Sequence, residues 1–222
     1  MIIVTGASRG LGKSISERLM ERGEEVIGLA RSLDGLNSKG IKCDVSDYSS
    51  VKKAASEVKR MKLSVKAVIN AAGVASMNMA VTTDKNTVQK LIQTNLVGTI
   101  YCCQLFAPIM LRQKHGSFIN FSTIAVALAL KGESVYAASK AGVETFSRAF
   151  AREMADFNIR VNCIAPGPIK TDLLKGITDH QIEKIISQQI IPKQFKKSDI
   201  CDLVELLIDE KASSLSGQVL SV

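Results

Sequence analysis

Tyr136 and Lys140 stand four residues apart in the segment YAASK (136–140). Residues at this spacing share one face of a helix, so we expect the phenol and the ammonium to be neighbours. A phenol has a pKa of about 10, and a nearby positive charge favours its ionised form. Such a pair can give a proton to a carbonyl oxygen, or accept one from an alcohol, near neutral pH. The spacing alone is common, so the interpretation needs support from other motifs.

A glycine-rich turn, VTGASRGLGKS (4–14), follows a short apolar strand. Its end, Gly-Lys-Ser, is compatible with a triphosphate-binding P-loop, which has four residues between its first glycine and the Gly-Lys pair. Counting back from Gly12, that first position is Ala7 rather than a glycine. The aspartate that would hold Mg²⁺ is also missing, because the two central strands end in Asn70 and Ser122.

A dinucleotide site explains the same turn better. Gly6 can make the tight turn out of the strand, Gly10 lets the backbone approach a pyrophosphate, and Gly12 lets the next helix pack against the sheet. The pyrophosphate would then bind free N–H groups at a helix N-terminus. The spacing differs from the G-x-G-x-x-G fingerprint, so these glycines by themselves are weak evidence.

The elements that must position these residues alternate along the chain. The predicted strands cover residues 1–5, 25–30, 66–70, 116–122, 159–164 and 217–222. Apolar residues at helical spacing run from Val88 to Thr99 and from Tyr136 to about Ala155. Alternating strands and helices imply right-handed crossovers and a parallel sheet covered on both faces. We predict an α/β fold, a Rossmann-type doubly wound parallel sheet in one domain (1–222), with only a turn between the second strand and Asp44.

The composition excludes several classes of protein. With 222 residues, 46% of them hydrophobic, the chain suits one globular domain with a sizeable core. Its longest apolar run, 95–111, contains Gln104 and Pro108 and is predicted to be a buried helix rather than a membrane span. The first residues enter a strand without a basic leader, which favours a cytoplasmic protein that binds no membrane.

Cysteine, histidine and charge add further expectations. The five cysteines form no CxxC pair and are predicted to be buried, and with two histidines no metal site is expected. The net charge is +8, of which residues 39–66 contribute five. This stretch is either a solvated helix face or a surface for an acidic partner or anionic cofactor. Its near lack of aromatic residues argues against nucleic acid.

Six motifs, in order along the chain, resemble those of the short-chain dehydrogenase/reductase family. They are TGASRGLG (5–12), CDV (43–45), NAAG (70–73), TNLVG (94–98), YAASK (136–140) and NCIAPGPIKT (162–171). The resemblance covers nearly the whole chain and implies an oxidoreductase that uses a nicotinamide cofactor. One departure is Ala71, which replaces the second Asn of the family's NNAG turn.

The resemblance also implies which residues bind that cofactor. Tyr136 and Lys140 are implied to contact it, with Lys140 hydrogen-bonded to the nicotinamide ribose. The other implied residues are Gly6, Ser8, Arg9, Gly10, Leu11, Gly12, Arg31, Ser32, Asp44, Val45, Asn70, Ala71, Ala72, Gly73, Pro166, Gly167, Ile169 and Thr171.

The end of the second strand bears on the choice between NAD and NADP. An acidic residue there would bind the NAD ribose and repel a 2′-phosphate, but this chain has Ala30 followed by Arg31. Arg9, in the glycine turn, can reach the same phosphate, and guanidinium groups suit phosphate because they offer several fixed donors. Either arginine alone would be an ordinary surface residue. Together, without a competing carboxylate, they predict NADPH/NADP+.

The family places a catalytic serine thirteen residues before its tyrosine, and here that position is Thr123. A threonine hydroxyl can also hydrogen-bond a carbonyl oxygen, so Thr123 is predicted for this role, with Ser122 as the alternative. Asn95 is either a satisfied buried amide or, as the resemblance implies, the organiser of a water relay to Lys140. The predicted catalytic set is Asn95, Thr123, Tyr136 and Lys140.

The substrate is indicated less directly. By resemblance, residues 171–191 form a lid over it, and this stretch and AVALAL (125–130) are apolar. The apolar residues of the lid are Leu173, Leu174, Ile177, Ile182, Ile185 and Ile186. Residues 191–222 are similar to the tail of 3-oxoacyl-[acyl-carrier-protein] reductases. The predicted reaction is therefore reduction of a ketone, such as a 3-oxoacyl thioester, to a secondary alcohol.

Partners and alternatives stay open at this point. Lys193, Lys196 and Lys197 would suit an acidic acyl carrier protein. The family expectation is a homodimer or homotetramer through the helices that start near 88 and 136, although relatives usually continue beyond GQVLSV with an Asp-Gly-Gly tail. A dehydrogenase for another alcohol or ketone, and an NADPH-binding protein with weakened catalysis, are the alternative functions.

Overall fold

The computed structural model describes residues 1–171 and 178–222. In these ranges seven strands form one sheet, in the order β3-β2-β1-β4-β5-β6-β7, and every neighbouring pair is parallel. The strands are β1 (Ile2–Thr5), β2 (Val26–Ala30), β3 (Lys39–Lys42), β4 (Ala67–Asn70), β5 (Gly116–Phe121), β6 (Ile159–Ala165) and β7 (Val219–Ser221). The six predicted strands all have counterparts in this sheet.

Helices pack on both faces of the sheet. They are α1 (Gly10–Glu21), α2 (Tyr48–Arg60), α3 (Lys85–Leu91), α4 (Gly98–Gln113), α5 (Ala125–Leu128), α6 (Ser134–Met154), α7 (Asp179–Ile186) and α8 (Lys197–Ile208). One apolar cluster joins the sheet to α2, α4 and α6, and a second joins it to α1 and α8. Because strand side chains alternate, Ile3 enters the first cluster while Ile2 and Val4 enter the second. The predicted doubly wound α/β fold is confirmed.

The order in which strands are added reverses between β1 and β4. The chain lays β2 and β3 outward on one side of β1, then crosses over and places β4 on the other side. Thr5 accordingly pairs with Leu29 on one side and with Asn70 on the other. Ligands of open parallel sheets bind at such a switch point, beyond the carboxyl ends of the strands. The turns that follow β1 and β4 therefore meet at the expected binding crevice.

The sequence pattern does not predict β3, an edge strand. It buries only Ile41, and both of its lysines are exposed. Lysine on an edge strand discourages pairing with other chains, but it also removes the apolar run by which a strand is recognised. Residues 31–38, between β2 and β3, form turns and bends rather than a helix, as their short length predicts.

The helical run Lys85–Gln113 comprises α3, a π-helical turn (Ile92–Val97) and α4. It is long and apolar enough to cross a membrane by length and composition alone. In this fold, however, Cys102, Phe106 and Met110 are buried in the apolar core. The prediction of a buried helix is confirmed, and all five cysteines are free and buried as expected.

Candidate active site

The glycine turn after β1 is tightly packed at two positions and open at a third. A Cβ on Gly6, whose φ is +68°, would lie 2.9 Å from Ala72 Cα, and one on Gly12 would lie 2.5 Å from the Gly6 carbonyl oxygen. Both obstacles are backbone, so only glycine fits. Gly10 has a φ of +60°, and no described atom lies within 4 Å of its Cβ position. The turn is thus a backbone-lined cradle of the kind that a diphosphate requires.

Helix α1 points its N-terminus at this cradle. Its N-cap residue, Arg9, makes no side-chain capping bond within the described ranges, so the first N–H groups remain available to an anion. Lys13 lies 3.9 Å from the Glu17 carboxylate, and Ser14 Oγ donates to a backbone carbonyl one turn earlier. In a P-loop these two side chains would serve phosphate and Mg²⁺. Their positions favour the dinucleotide interpretation.

The two arginines that predict NADPH follow adjacent strands, Arg9 after β1 and Arg31 after β2. Both are exposed, and neither guanidinium forms a hydrogen bond or ion pair with a residue that the structure describes. Ser32 is engaged, because its hydroxyl donates to Asp34 at 2.6 Å. Asp34 is a carboxylate that the sequence reasoning overlooked. It lies in the loop that approaches the glycine turn, where the Cβ position of the next residue is 3.4 Å from the Ser8 carbonyl oxygen.

Asp44 and Val45, two of the predicted cofactor-binding residues, follow β3. The Asp44 carboxylate accepts hydrogen bonds from the backbone N–H (2.9 Å) and hydroxyl (2.7 Å) of Ser46. Val45 is buried and lies against α4, with its carbonyl oxygen 3.0 Å from the Cβ position of Gly98. The carboxylate is therefore held in place by its own turn, and glycine at 98 allows that turn to pack against the helix.

The NAAG turn after β4 joins the cradle to the catalytic residues. Asn70 is buried and donates to Asn120 Oδ1 (2.8 Å) on β5, so its side chain links neighbouring strands. The Ala72 N–H donates to Thr5 Oγ1 (3.0 Å) beside the glycine turn. A Cβ on Gly73 would lie 3.3 Å from Asn95 Oδ1 and 3.5 Å from Lys140 Nζ. Gly73 thus separates two members of the predicted catalytic set.

Asn95 lies in the π-helical turn and is fully buried. Its Oδ1 accepts from the Val74 N–H (2.9 Å), and its Nδ2 donates to the Val74 carbonyl (2.9 Å) and to Ser139 Oγ (3.0 Å). Its carbonyl oxygen accepts from Thr99 Oγ1 (2.8 Å). The structure therefore shows a satisfied amide, which ties the loop after β4 to α6. A turn of this rare type in a helix often marks a functional site.

Tyr136, Lys140 and Thr123 are brought together where β5 ends and α6 begins. The Thr123 hydroxyl lies beside the Tyr136 phenol and lowers its pKa. Lys140 lies one helical turn further on, is 6% exposed, and donates from Nζ to the Phe121 carbonyl oxygen (2.9 Å). The spacing of the motif therefore produces the predicted cluster, although the ammonium hydrogen-bonds to the strand rather than to the phenol.

The expected lowering of the phenol pKa is wrong for this arrangement. Burial, and then the charge of Glu133, raise the pKa of Tyr136 to about 12, while the hydrogen bond with Thr123 lowers it. Burial also lowers the pKa of Lys140 to about 8. Desolvation disfavours the charged form of each group, and this effect exceeds the attraction assumed from their spacing.

Ser122 and Thr123 point to different partners. Ser122 is buried, and its Oγ donates to Glu144 Oε1 (2.7 Å), whose carboxylate also lies 3.5 Å from Arg148. Thr123 Oγ1 instead contacts Tyr136 and accepts from the Ala125 N–H (3.2 Å). Of the two predicted alternatives, only Thr123 is placed beside the phenol. Glu144, which the sequence reasoning did not single out, holds the serine away from it.

The segment after β6 closes the other side of the crevice. The Gly167 N–H donates to the Val222 carbonyl oxygen (2.6 Å), and the amide of Gln189 covers the position that a Cβ would take at Gly167. Ile169 is buried in the second apolar cluster, and Leu11 packs against the same cluster. Both side chains therefore contribute to the core. The carbonyl of Pro166 accepts from the Ile124 N–H (3.1 Å).

The predicted lid is described only in part. Within 171–191, α7 begins after a capping box between Thr178 and Gln181, and it buries Ile185. Leu173, Leu174 and Ile177 lie outside the described residues. Ile190 and Ile191, just beyond α7, are exposed. The amphipathic helical pattern is thus present where the structure describes this stretch.

A diphosphate cradle and a phenol that can donate a proton, held at the ends of neighbouring strands, define a dinucleotide-dependent oxidoreductase of the α/β class. A family model described as short chain dehydrogenase matches residues 1–182, and the chain belongs to that family. The resemblance of the six motifs is therefore confirmed.

The similarity to curated relatives extends over nearly the full length of this chain and of theirs. The chain is 34% identical to the 3-oxoacyl-[acyl-carrier-protein] reductase FabG of Staphylococcus aureus strain Mu50, with 99% of this chain and 95% of that protein covered. It is 31% identical to the FabG of Escherichia coli strain K12, with 99% and 94% covered. The predicted similarity to this group of reductases is confirmed.

Solved structures share the fold over the whole chain. The ligand-free aldohexose dehydrogenase (AldT) of Thermoplasma acidophilum is 28% identical, with a TM-score of 0.89 and 100% of this chain and 91% of that chain covered. A 4-hydroxyisoleucine dehydrogenase complexed with NADH and succinate has a TM-score of 0.90 at 24% identity, covering 100% and 97%. At that identity the second likeness concerns the fold alone.

Proposed function

We propose that the chain reduces a ketone to a secondary alcohol, with NADPH as cofactor and a 3-oxoacyl thioester as substrate. The observation that carries this proposal is the Thr123 hydroxyl beside the Tyr136 phenol, one helical turn from the buried ammonium of Lys140. It places two hydroxyl groups side by side, so one carbonyl oxygen can accept from both.

The residues at the switch point fit a nicotinamide dinucleotide. Gly6 and Gly12 form a cradle that a Cβ would obstruct, and the N-terminus of α1 offers free N–H groups to the diphosphate. By family resemblance, Lys140 would hold the nicotinamide ribose. When bound, the nicotinamide supplies the hydride that reduces the carbonyl carbon.

Side chains of the protein donate the proton to the carbonyl oxygen and stabilise the charge that this leaves behind. At neutral pH the Tyr136 phenol, with a pKa of about 12, is protonated and can donate from Oη to the carbonyl oxygen. Thr123 donates a second hydrogen bond to that oxygen and so orients it. Lys140, with a pKa of about 8, remains mostly charged and stabilises the negative charge that develops on Oη. Asn95 holds α6 against the loop after β4 through its hydrogen bonds to Ser139 and Val74.

The preference for NADPH is proposed from Arg9 and Arg31, which are free to meet a 2′-phosphate. Replacing Arg31 with Asp is expected to lower the ratio of kcat/KM for NADPH to that for NADH by about tenfold or more, because a carboxylate repels the phosphate and binds the ribose instead. The measurement is the initial rate with each cofactor and one ketone. The same charge change at the exposed Arg60, at the end of α2, serves as the control. An unchanged ratio would contradict the assignment.

A 3-oxoacyl thioester is proposed because the curated relatives are named as 3-oxoacyl-[acyl-carrier-protein] reductases. Lys193 and Lys196, near the start of α8, are exposed or partly exposed and provide positive charge for an acidic carrier protein. The exposed Ile190 and Ile191 lie next to them and suit an acyl chain. We further propose a homodimer or homotetramer in the cytoplasm, as the resemblance implies.

Turnover of a carbonyl panel tests the function. NADPH consumption is measured with β-ketoacyl thioesters, diketones and quinones, and we expect the thioesters to give the highest kcat/KM. Faster reduction of a diketone or quinone would replace the substrate but keep the reaction. Tight NADPH binding without reduction of any carbonyl would instead indicate a binding protein. The placement of the Thr123 hydroxyl beside the Tyr136 phenol favours catalysis over that alternative.

A further inference from the structure

Glu133 immediately precedes α6 and stands three residues before Tyr136. It is 8% exposed. Although it occupies the N-cap position, its side chain makes no capping hydrogen bond, and no ion pair or side-chain hydrogen bond joins it to any residue in 1–171 or 178–222. The carboxylate therefore lacks the usual structural use of an acidic residue at a helix N-terminus. Both carboxylate oxygens nevertheless keep contact with solvent, because neither is among the fully buried polar atoms that lack a partner in the described residues. The carboxylate therefore faces an opening rather than the core, where a ligand can meet it.

Glu133 and the reacting Tyr136 are three residues apart at the start of α6, a spacing that makes their side chains neighbours. The charge of Glu133 is the second-largest cause of the raised pKa of Tyr136, after burial. No nearby cation offsets it in the described structure: Lys131 is exposed, and Lys140 donates its ammonium to the Phe121 carbonyl. Gly132, the preceding residue, has its Cβ position 3.4 Å from Met77 Cγ, which places this turn against the loop after β4. The phenol thus has an uncompensated negative charge on one side and Thr123 on another.

We propose that Glu133 determines specificity at the ketone site: it excludes substrates with a carboxylate beside the reacting carbonyl, accepts neutral ones such as thioesters, and favours those with a hydrogen-bond donor there. This inference rests on the proposed ketone reduction. A buried carboxylate offers only acceptors, so a hydroxyl, amide N–H or ammonium of the substrate satisfies it. A second carboxylate would meet a like charge once the bound substrate had displaced the water between them, and a site built around a polar group discriminates strongly against a mismatched partner.

Three ketones that differ in one end group test the assignment. They share the 3-oxoacyl skeleton of the best substrate in the carbonyl panel and end in a carboxamide, a methyl ester or a carboxylate. For the unaltered protein we expect kcat/KM for the carboxamide to exceed that for the carboxylate by about 100-fold, with the ester between them. Glu133→Gln, which keeps the shape, should reduce that ratio to less than about tenfold, mainly by lowering KM for the carboxylate.

Glu153→Gln, at an exposed position on the same helix, is the matched control and should leave the ratio unchanged. Glu133→Lys is the second variant and should make the carboxylate the preferred substrate. A merely structural role for Glu133 would change all three ketones alike. Equal kcat/KM for the three ketones in the unaltered protein, or an unchanged ratio in Glu133→Gln, overturns the assignment and leaves ketone reduction standing. If no carbonyl is reduced at all, the proposed function fails, and this inference fails with it.

Discussion

Replacing Tyr136 with Phe is expected to lower kcat/KM for the best ketone by about 1,000-fold, because the variant has no proton to give to the carbonyl oxygen. The ring remains, so packing at the start of α6 should be preserved. NADPH affinity, measured by cofactor fluorescence, should change little, since we expect the diphosphate to bind at the glycine cradle, away from the phenol. The loss should therefore appear in kcat rather than in cofactor binding.

Tyr48→Phe is the matched control for this variant. Tyr48 begins α2, is 40% exposed and stacks edge-on against Tyr101. Removing its hydroxyl should leave turnover within about twofold, because surface substitutions rarely disturb the fold. If Tyr136→Phe kept most of its ketone reductase activity, the proton would have to come from another group, and the proposed role of the phenol would be wrong.

Replacing Thr123 with Ala is expected to lower kcat by about 100-fold, the typical cost of losing one hydrogen-bond donor to a developing oxyanion. The hydroxyl of Thr123 is the one that meets the phenol, so its loss also removes a group that orients Tyr136. Thr123→Ser keeps the hydroxyl and should stay within about tenfold of the original rate. Single-turnover rates at saturating NADPH would separate this effect from substrate binding.

Ser122→Ala provides the contrast that decides between the two neighbouring hydroxyls. The variant lacks the hydroxyl that donates a hydrogen bond to Glu144 Oε1 at 2.7 Å. Loss of this bond should lower the unfolding free energy by about 1–3 kcal/mol. Turnover should fall less than about tenfold, because Ser122 faces away from Tyr136. The opposite ranking, with Ser122→Ala slow and Thr123→Ala nearly normal, would assign the carbonyl contact to the serine.

The pKa of Tyr136 is raised rather than lowered, and this sets the protonation states of Tyr136 and Lys140 at neutral pH. Spacing alone suggested a phenol close to ionisation, whereas burial raises the pKa of Tyr136 to about 12 and lowers that of Lys140 to about 8. Neutral pH lies below both values, so the phenol retains its proton and the lysine is mostly charged. This is the state in which a proton can be given to a ketone oxygen.

Local pattern predicts the regular elements well. The buried strands β1, β4 and β5 have apolar runs by which they are recognised in the sequence. The edge strand β3 has a lysine at each end and no such run. The four-residue spacing of Tyr136 and Lys140 likewise requires only helix geometry. For the site, therefore, the sequence shows which side chains share a helix face or follow a strand.

Partners distant in sequence are decided by the fold. The side-chain amide of Asn95 hydrogen-bonds to Val74 and Ser139, which are 21 and 44 residues away in the sequence. No spacing rule shows these contacts, because they depend on how β4 and α6 are packed together.

By itself, the sequence determined the α/β class, the dinucleotide cradle and the candidate residues, because turn chemistry, period and motif order are local properties. Only the tertiary structure decided that Ser122 faces Glu144 while Thr123 faces Tyr136, and that Glu133 is buried without a partner. The physical reason is that orientation and pKa depend on desolvation and on neighbours supplied by other strands and helices. Those neighbours meet only when the sheet and its two helical layers have assembled.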